Sequence, residues 1–368
     1  MAGSFILDSI KISEAFRVRF SDVLENEVDS SDLCFPKEDI LARHNELTSG
    51  LEQNLQRAEN RLGYIFEEGL DHDTENNKTI ETLDCLSDEQ GDPVSLYSMA
   101  LFATHKFGVP LEQEELIFPL LAAAVLGEIE HDLPYHNNFH FRKVMLHAIR
   151  LITVHNRLFE NKKRELDAQS ICKLLTAALI HDLGHDGKNN YIDGNYEFAR
   201  LELRSFDLFL PVLNALSVPK EFISDVMVML ITTDVLPFGH PMSPANQMSA
   251  AYDYHFGMSS EDLPELSSEL AILEERQDLT IMCMMLHAAD LMNSMGLSYE
   301  VTKCESFAVN KEIGKEKTTP DDIWLFLNKI CQNPLMLEAA QILAEKPMQE
   351  IYRQVRDDVS ASVSSIKC

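Results

Sequence analysis

The chain reads as an all-α protein, and three observations carry that expectation. Phe141, Val144, Met145, Ala148, Ile149 and Ile152 recur at helical spacing and mark one apolar face. The runs 171–180, 221–234 and 269–290 follow the same period. Runs of β-branched residues alternating between tight turns are scarce. From the N-terminus, residues 1 to about 70 carry amphipathic patterning, as in Leu41 to Phe66, and predict a helical extension. Asp71 to Pro93 is acidic, with almost no apolar period, and reads as a linker. From Val94 onward the helical period is strong. Pro237 to Leu266, rich in Pro, Gly, Ser and Met, reads as a long irregular loop. The expected organisation is an extension over 1–90, a main domain over 91–345 and a C-terminal helix and tail over 346–368.

Composition narrows the classes of function. The 368 residues hold 31 basic and 60 acidic side chains, a formal charge of −29. That balance argues against nucleic acid, whose phosphates are neutralised by Lys and Arg, and against an anionic membrane surface. Hydrophobic content of 45% with 25% charged residues is that of a globular chain. The longest apolar run, Leu116 to Leu126, contains Pro119 and is too short to span a bilayer. Seven scattered cysteines without a C-x-x-C pair fit a reducing compartment. The N-terminus shows no basic region leading into an apolar one. The expected location is cytoplasmic.

Three short strings concentrate the chemistry: Tyr135-His136-Asn137-Asn138-Phe139-His140, His181-Asp182-Leu183-Gly184-His185-Asp186-Gly187 and Leu286-His287-Ala288-Ala289-Asp290. Imidazole and carboxylate together suit zinc, iron, manganese or magnesium. His181-Asp182 follows an apolar helical run, where a His beside an Asp is costly unless a metal, or their pairing with each other or with backbone groups, satisfies them. His136 and His140 share a face if their segment is helical, with Pro134 at the helix start. Asp290 sits in a Met-rich apolar helix, where a carboxylate wants a cation or several donors.

Taken in order, these strings resemble the catalytic domain of class I (mammalian-type) 3′,5′-cyclic nucleotide phosphodiesterases, within the HD metal-dependent phosphohydrolases. The similarity runs over roughly 94–335 and includes Phe107-Gly108-Val109-Pro110 and Thr233-Asp234. It implies a compact multi-helix HD-type domain with two divalent metal ions, Zn²⁺ at the tighter site and Mg²⁺ or Mn²⁺ at the second. By the resemblance, His140, His181, Asp182 and Asp290 bind the tighter ion and Asp182 bridges to the other. His136 is the general acid, His185 bonds near the attacking water, and Glu202 orients groups behind it. Tyr135, Asn190, Asn293 and Phe326 fall on the substrate side. The implied partner is a small-molecule phosphoester, a cyclic nucleotide such as cAMP or cGMP, hydrolysed to the 5′-monophosphate. No nucleic acid and no membrane are expected, and a homodimer is left open.

The departures fall on substrate recognition. The family's purine-reading glutamine lies three residues before the stacking phenylalanine, where this chain has Ile323, or Trp324 with a one-residue shift. Asp186 replaces the family's usual proline, and with Glu202 it forms an acidic pair near the second ion's expected place. Two further readings therefore stand beside the cyclic nucleotide one. They are hydrolysis of a different phosphoester or nucleotide, and a non-catalytic module that retains the metal or nucleotide site.

Overall fold

The helical periods become fifteen α-helices among the described residues, which in this computed structural model are 2–87, 93–257, 262–331 and 333–366. They run α1 (Ala2–Asp22), α2 (Lys37–Thr48), α3 (Leu51–Leu62), α4 (His72–Leu86), α5 (Leu96–Lys106), α6 (Glu114–Gly127), α7 (Asn138–Leu158) and α8 (Ala168–Ile180). After a short antiparallel hairpin, β1 (Tyr191–Ile192) with β2 (Asn195–Tyr196), come α9 (Arg200–Ala215), α10 (Lys220–Ile231) and α11 (Pro244–Phe256). The last are α12 (Gln277–Met295), α13 (Tyr299–Glu312), α14 (Pro320–Lys329) and α15 (Glu338–Ile366). The fold is all-α.

The centre of the molecule is α12, which packs against α7, α8, α10, α11, α13 and α15. From Leu279 to Met295 every one of its residues is buried except Asp290. A helix apolar on all sides belongs inside, and the single break in its burial marks where the interior opens. On α7 all six residues of the predicted face are buried. Toward the N-terminus, Phe16 and Phe20 of α1 stack at 4.8 Å, and Phe16 lies 5.4 Å from Phe118 of α6 and 6.4 Å from Tyr97 of α5. One apolar core therefore runs from α1 into α12. Between α8 and α10, Lys173 Nζ lies 2.7 Å from Asp225 Oδ2, with each side chain 3% exposed.

Two expectations about local structure are corrected. The stretch read as a linker from Asp71 folds as α4, capped by the Asp71 carboxylate, which accepts from Thr74 N at 3.0 Å. Few of its residues are apolar because it buries only Thr79, Thr82, Leu83 and Leu86. The later end of that stretch, 88–92, lies outside the described residues. In the stretch read as an irregular loop, Ser243 caps and Pro244 opens α11, which buries Met248, Ala251 and Tyr252; residues 258–261 lie outside the described residues. The amphipathic run from Leu41 to Phe66 breaks between α2 and α3 at Gly50, whose φ of +73° favours glycine.

Candidate metal centre

Capping places the first string. The Asn137 side chain accepts from Phe139 N at 3.0 Å and His140 N at 3.2 Å, so α7 starts at Asn138. His140 is thus on the helix and His136 ahead of it, not on a shared helical face as their spacing suggested. The second string follows α8, which ends at Ile180 with His181 as its C-cap. Tight turns then bring His185 N to Asp182 O at 2.9 Å. Gly184 lies against α9, where a Cβ would approach Ser205 N to 2.8 Å. Asp290 comes from α12, at the break in its burial.

These elements bring one donor atom from each of His140, His181, Asp182 and Asp290 within 4.8 Å of one another. His140 Nε2 is 3.2 Å from His181 Nε2, 3.1 Å from Asp182 Oδ2 and 3.2 Å from Asp290 Oδ1. His181 Nε2 is 3.0 Å from Asp182 Oδ2 and 3.7 Å from Asp290 Oδ1. At 3.0 Å, His181 Nδ1 donates to Ala178 O, which leaves Nε2 as the ring nitrogen aimed into the cluster. Burial alone would depress the His181 pKa, but Asp182 and Asp290 outweigh it and raise it well above the usual value. Burial would likewise raise both carboxylates, yet the imidazoles hold Asp182 and Asp290 far below the usual range. The pocket therefore demands positive charge at its centre. Two imidazole nitrogens and two carboxylate oxygens converging in this way are a donor set that fits a divalent ion.

Beside this cluster stands a second group. The rings of His136 and His185 stack with centroids 3.5 Å apart. Glu312, at the end of α13, accepts from Tyr135 N at 2.9 Å and His136 N at 3.1 Å through Oε2. Its Oε1 lies 2.5 Å from His136 Nδ1. The other ring nitrogen of His136 faces Asp182 Oδ2 at 3.8 Å. Burial opposes protonation of His136, but Asp182 and Glu312 raise its pKa above the ordinary value. Burial would raise Glu312, whereas its bonds to His136 pull it down to about 2. His185 is pushed down to about 4 by burial and by the charge of His136, and its Nδ1 accepts from Gly187 N at 3.2 Å. Of the two stacked rings, His136 is therefore the one biased toward the imidazolium form and His185 the one biased toward the neutral form.

The remaining predicted residues divide. Glu202 Oε2 accepts from Asn190 Nδ2 at 2.9 Å, and Asn190 Oδ1 accepts from Leu201 N at 3.0 Å, so Asn190 fixes the start of α9. Glu202 is raised well above the usual range by burial and by Asp234. Asp234 in turn accepts from Tyr196 Oη at 2.7 Å, Leu236 N at 2.9 Å and Ala199 N at 3.1 Å. Asp186 pairs with Arg200 at 2.9 Å rather than forming an acidic pair with Glu202. Asn293 points into the interior, where its Oδ1 meets His147 Nε2 at 3.3 Å. His287 is buried among α12's neighbours, with its pKa lowered to about 4 by burial.

Tyr135 and Phe326 line one cavity of about 330 Å³, with Phe238, Ser294 and Ile330 among its other walls. Tyr135 also packs its ring 4.6 Å from that of His140, which sets the cavity beside the His–Asp cluster. Ile323 is buried in the core, and Trp324 packs edge-on against Tyr352 at 5.5 Å; neither lines that cavity. Glu312, which holds His136, is the residue of this group that the sequence did not offer, because no local motif links the two.

No family model and no curated protein matches the chain. Among solved structures it is similar to LmjPDEB1 in complex with IBMX, a Leishmania protein. The identity is 15%, the alignment covers 82% of this chain and 93% of that chain, and the TM-score is 0.48.

Proposed function

We propose that the chain is a metal-dependent phosphodiesterase that hydrolyses 3′,5′-cyclic nucleotides to 5′-monophosphates. One observation carries the reading: four donor atoms from α7, α12 and the turn after α8 converge beside a histidine whose far nitrogen is held by a buried carboxylate. In this reading His140, His181, Asp182 and Asp290 would hold a zinc-type ion, and Asp182 would also serve a second ion, magnesium or manganese. Bound there, such ions lower the pKa of water and offset phosphate charge. A water that has lost one proton to solvent would add its oxygen to phosphorus, the P–O3′ bond would break, and His136 would give its Nε2 proton to the departing O3′ and regain one from solvent. Glu312 keeps the His136 Nδ1 proton engaged so that Nε2 is the donor toward substrate. His185 stays neutral against the His136 ring. Asn190 holds Glu202 by donating to its Oε2. Tyr135 and Phe326 offer the aromatic walls for a nucleobase.

A different phosphoester is the second reading, favoured by Ile323 and Trp324 standing away from the cavity. The test is hydrolysis of cAMP, cGMP, a pyrimidine cyclic nucleotide and bis(p-nitrophenyl) phosphate with added zinc, magnesium or manganese, against Asp290→Ala. Turnover of a cyclic nucleotide that the variant loses supports the proposal. Turnover of the generic diester alone moves the search to another ester. No turnover with metal bound overturns the enzyme reading.

A further inference from the structure

Two of the four donors, His140 and Asp290, sit on α7 and α12, so the site depends on the register between those helices. Apolar packing alone sets that register weakly, because α12 contributes Met282, Met284, Met285, Met292 and Met295, and methionine side chains refill irregular gaps after small slides. A directional polar contact does better.

One such contact exists. His147 lies two turns beyond His140 on the same stripe of α7, and Asn293 lies one turn beyond Asp290 on α12. His147 Nε2 meets Asn293 Oδ1 at 3.3 Å, and His147 Nδ1 meets Arg150 Nη1 at 3.3 Å. Only a neutral imidazole with its proton on Nε2 satisfies both partners, donating to the amide oxygen and accepting from the guanidinium. Arg150, itself 1% exposed, gives its Nε and Nη2 hydrogens to Glu75 Oε1 of α4, each at 3.3 Å. The next residue of α4, Asn76, donates to Leu297 O at 2.9 Å, just past the end of α12. Through neighbouring residues α4 thus grips α7 and the exit of α12.

We propose that Glu75, Arg150, His147 and Asn293 act as a positioning relay by which α4 sets the register of α7 against α12, and with it the approach of His140 to Asp290. None of the four is a metal ligand. The proposal rests on the metal reading above. Metal–ligand distances tolerate deviations of only about 0.2 Å, so a small slide between the helices registers as lost affinity.

The test measures zinc affinity of the full chain by competition with a chromophoric chelator, for Glu75→Ala, Asn293→Ala and the pair together. The cobalt form's d–d absorption is recorded alongside. Each single substitution is expected to weaken zinc about tenfold and to alter the cobalt spectrum. The double is expected to weaken it no more than the stronger single, because both cut one relay. Glu75→Gln, which keeps an oxygen for Arg150, is expected to recover most of the loss. If Asn293→Ala fails to fold, the contrast between Glu75→Ala and Glu75→Gln decides the question at a partly exposed position. Affinities within twofold of wild type, even with a lowered thermal midpoint, would overturn the relay. So would a double variant whose loss is the product of the singles. A wild-type chain that takes up no divalent ion overturns the metal reading, and the relay with it.

Discussion

Saturating the His140–His181–Asp182–Asp290 cluster with zinc is expected to raise the thermal midpoint by several degrees, and Asp290→Ala is expected to erase that rise. An ion that binds only the native state, at a free concentration about 1,000 times its Kd, adds about 4.1 kcal/mol of stability. Unfolding entropy of about 2.1 cal/mol/K per residue gives about 0.8 kcal/mol/K for 368 residues, hence a shift of about 5 °C. Asp290 supplies one of four donors, 3.2 Å from His140 Nε2 and 3.7 Å from His181 Nε2. If its loss weakens binding a thousandfold, the same free zinc then adds only about 0.4 kcal/mol, a shift below about 1 °C. The assay is scanning calorimetry of both proteins in chelator and in buffered zinc, each protein referred to its own metal-free midpoint. Equal wild-type midpoints in the two buffers would refute the reasoning. So would a variant that keeps the full shift.

Other expectations follow from contacts already described. A general acid works protonated and is lost as pH rises through its pKa; against burial, Asp182 and Glu312 raise that of His136. Glu312→Gln should therefore move the alkaline limb of kcat/KM to lower pH, and an unmoved limb would exclude Glu312 from that role. Asp225→Ala leaves the buried Lys173 ammonium without its nearest carboxylate, and should cost about 3–5 kcal/mol in urea unfolding. A loss below about 1 kcal/mol would show that Glu221, 3.2 Å from Lys173, suffices. Phe238 is 52% exposed yet lines the cavity with Phe326. Phe238→Ala should raise KM for a cyclic nucleotide about 2- to 12-fold at nearly constant kcat, the value of one aromatic contact. A change in kcat alone would place Phe238 outside ground-state binding.

What could be read from the sequence tracks how local each signal is. The buried face of α7 and the all-round burial of α12 are visible because helical packing writes a period into neighbouring residues. His140, His181, Asp182 and Asp290 are visible because uncommon polar residues interrupt apolar runs, and the structure brings those four together. Helix α4 escaped a reading based on apolar period, since it docks through polar contacts such as Asn76 to Leu297 O and Lys346 Nζ to Asp73 at 2.6 Å. Its cap at Asp71 was the available signal, as Ser243-Pro244 was for α11. Glu312 left no signal of this kind. Its partner His136 is 176 residues away, and a carboxylate near the end of an amphipathic helix reads as solvated surface until the chain is folded. Asn293 fell on the substrate side by the resemblance alone, and its side chain turns inward to His147.

The donors come from positions 140, 181–182 and 290, and this spacing bears on the order of folding. The cluster exists only after α7, the end of α8 and α12 have met, which requires closing the long connection between α8 and α12. Contacts so distant in sequence are costly to form early. An ion that needs all of them gains its full hold only on the native side of the barrier. It should then slow unfolding in denaturant by nearly its whole binding free energy and leave the refolding rate almost unchanged. Occupancy of the site would govern how long a folded molecule persists rather than how fast it is made.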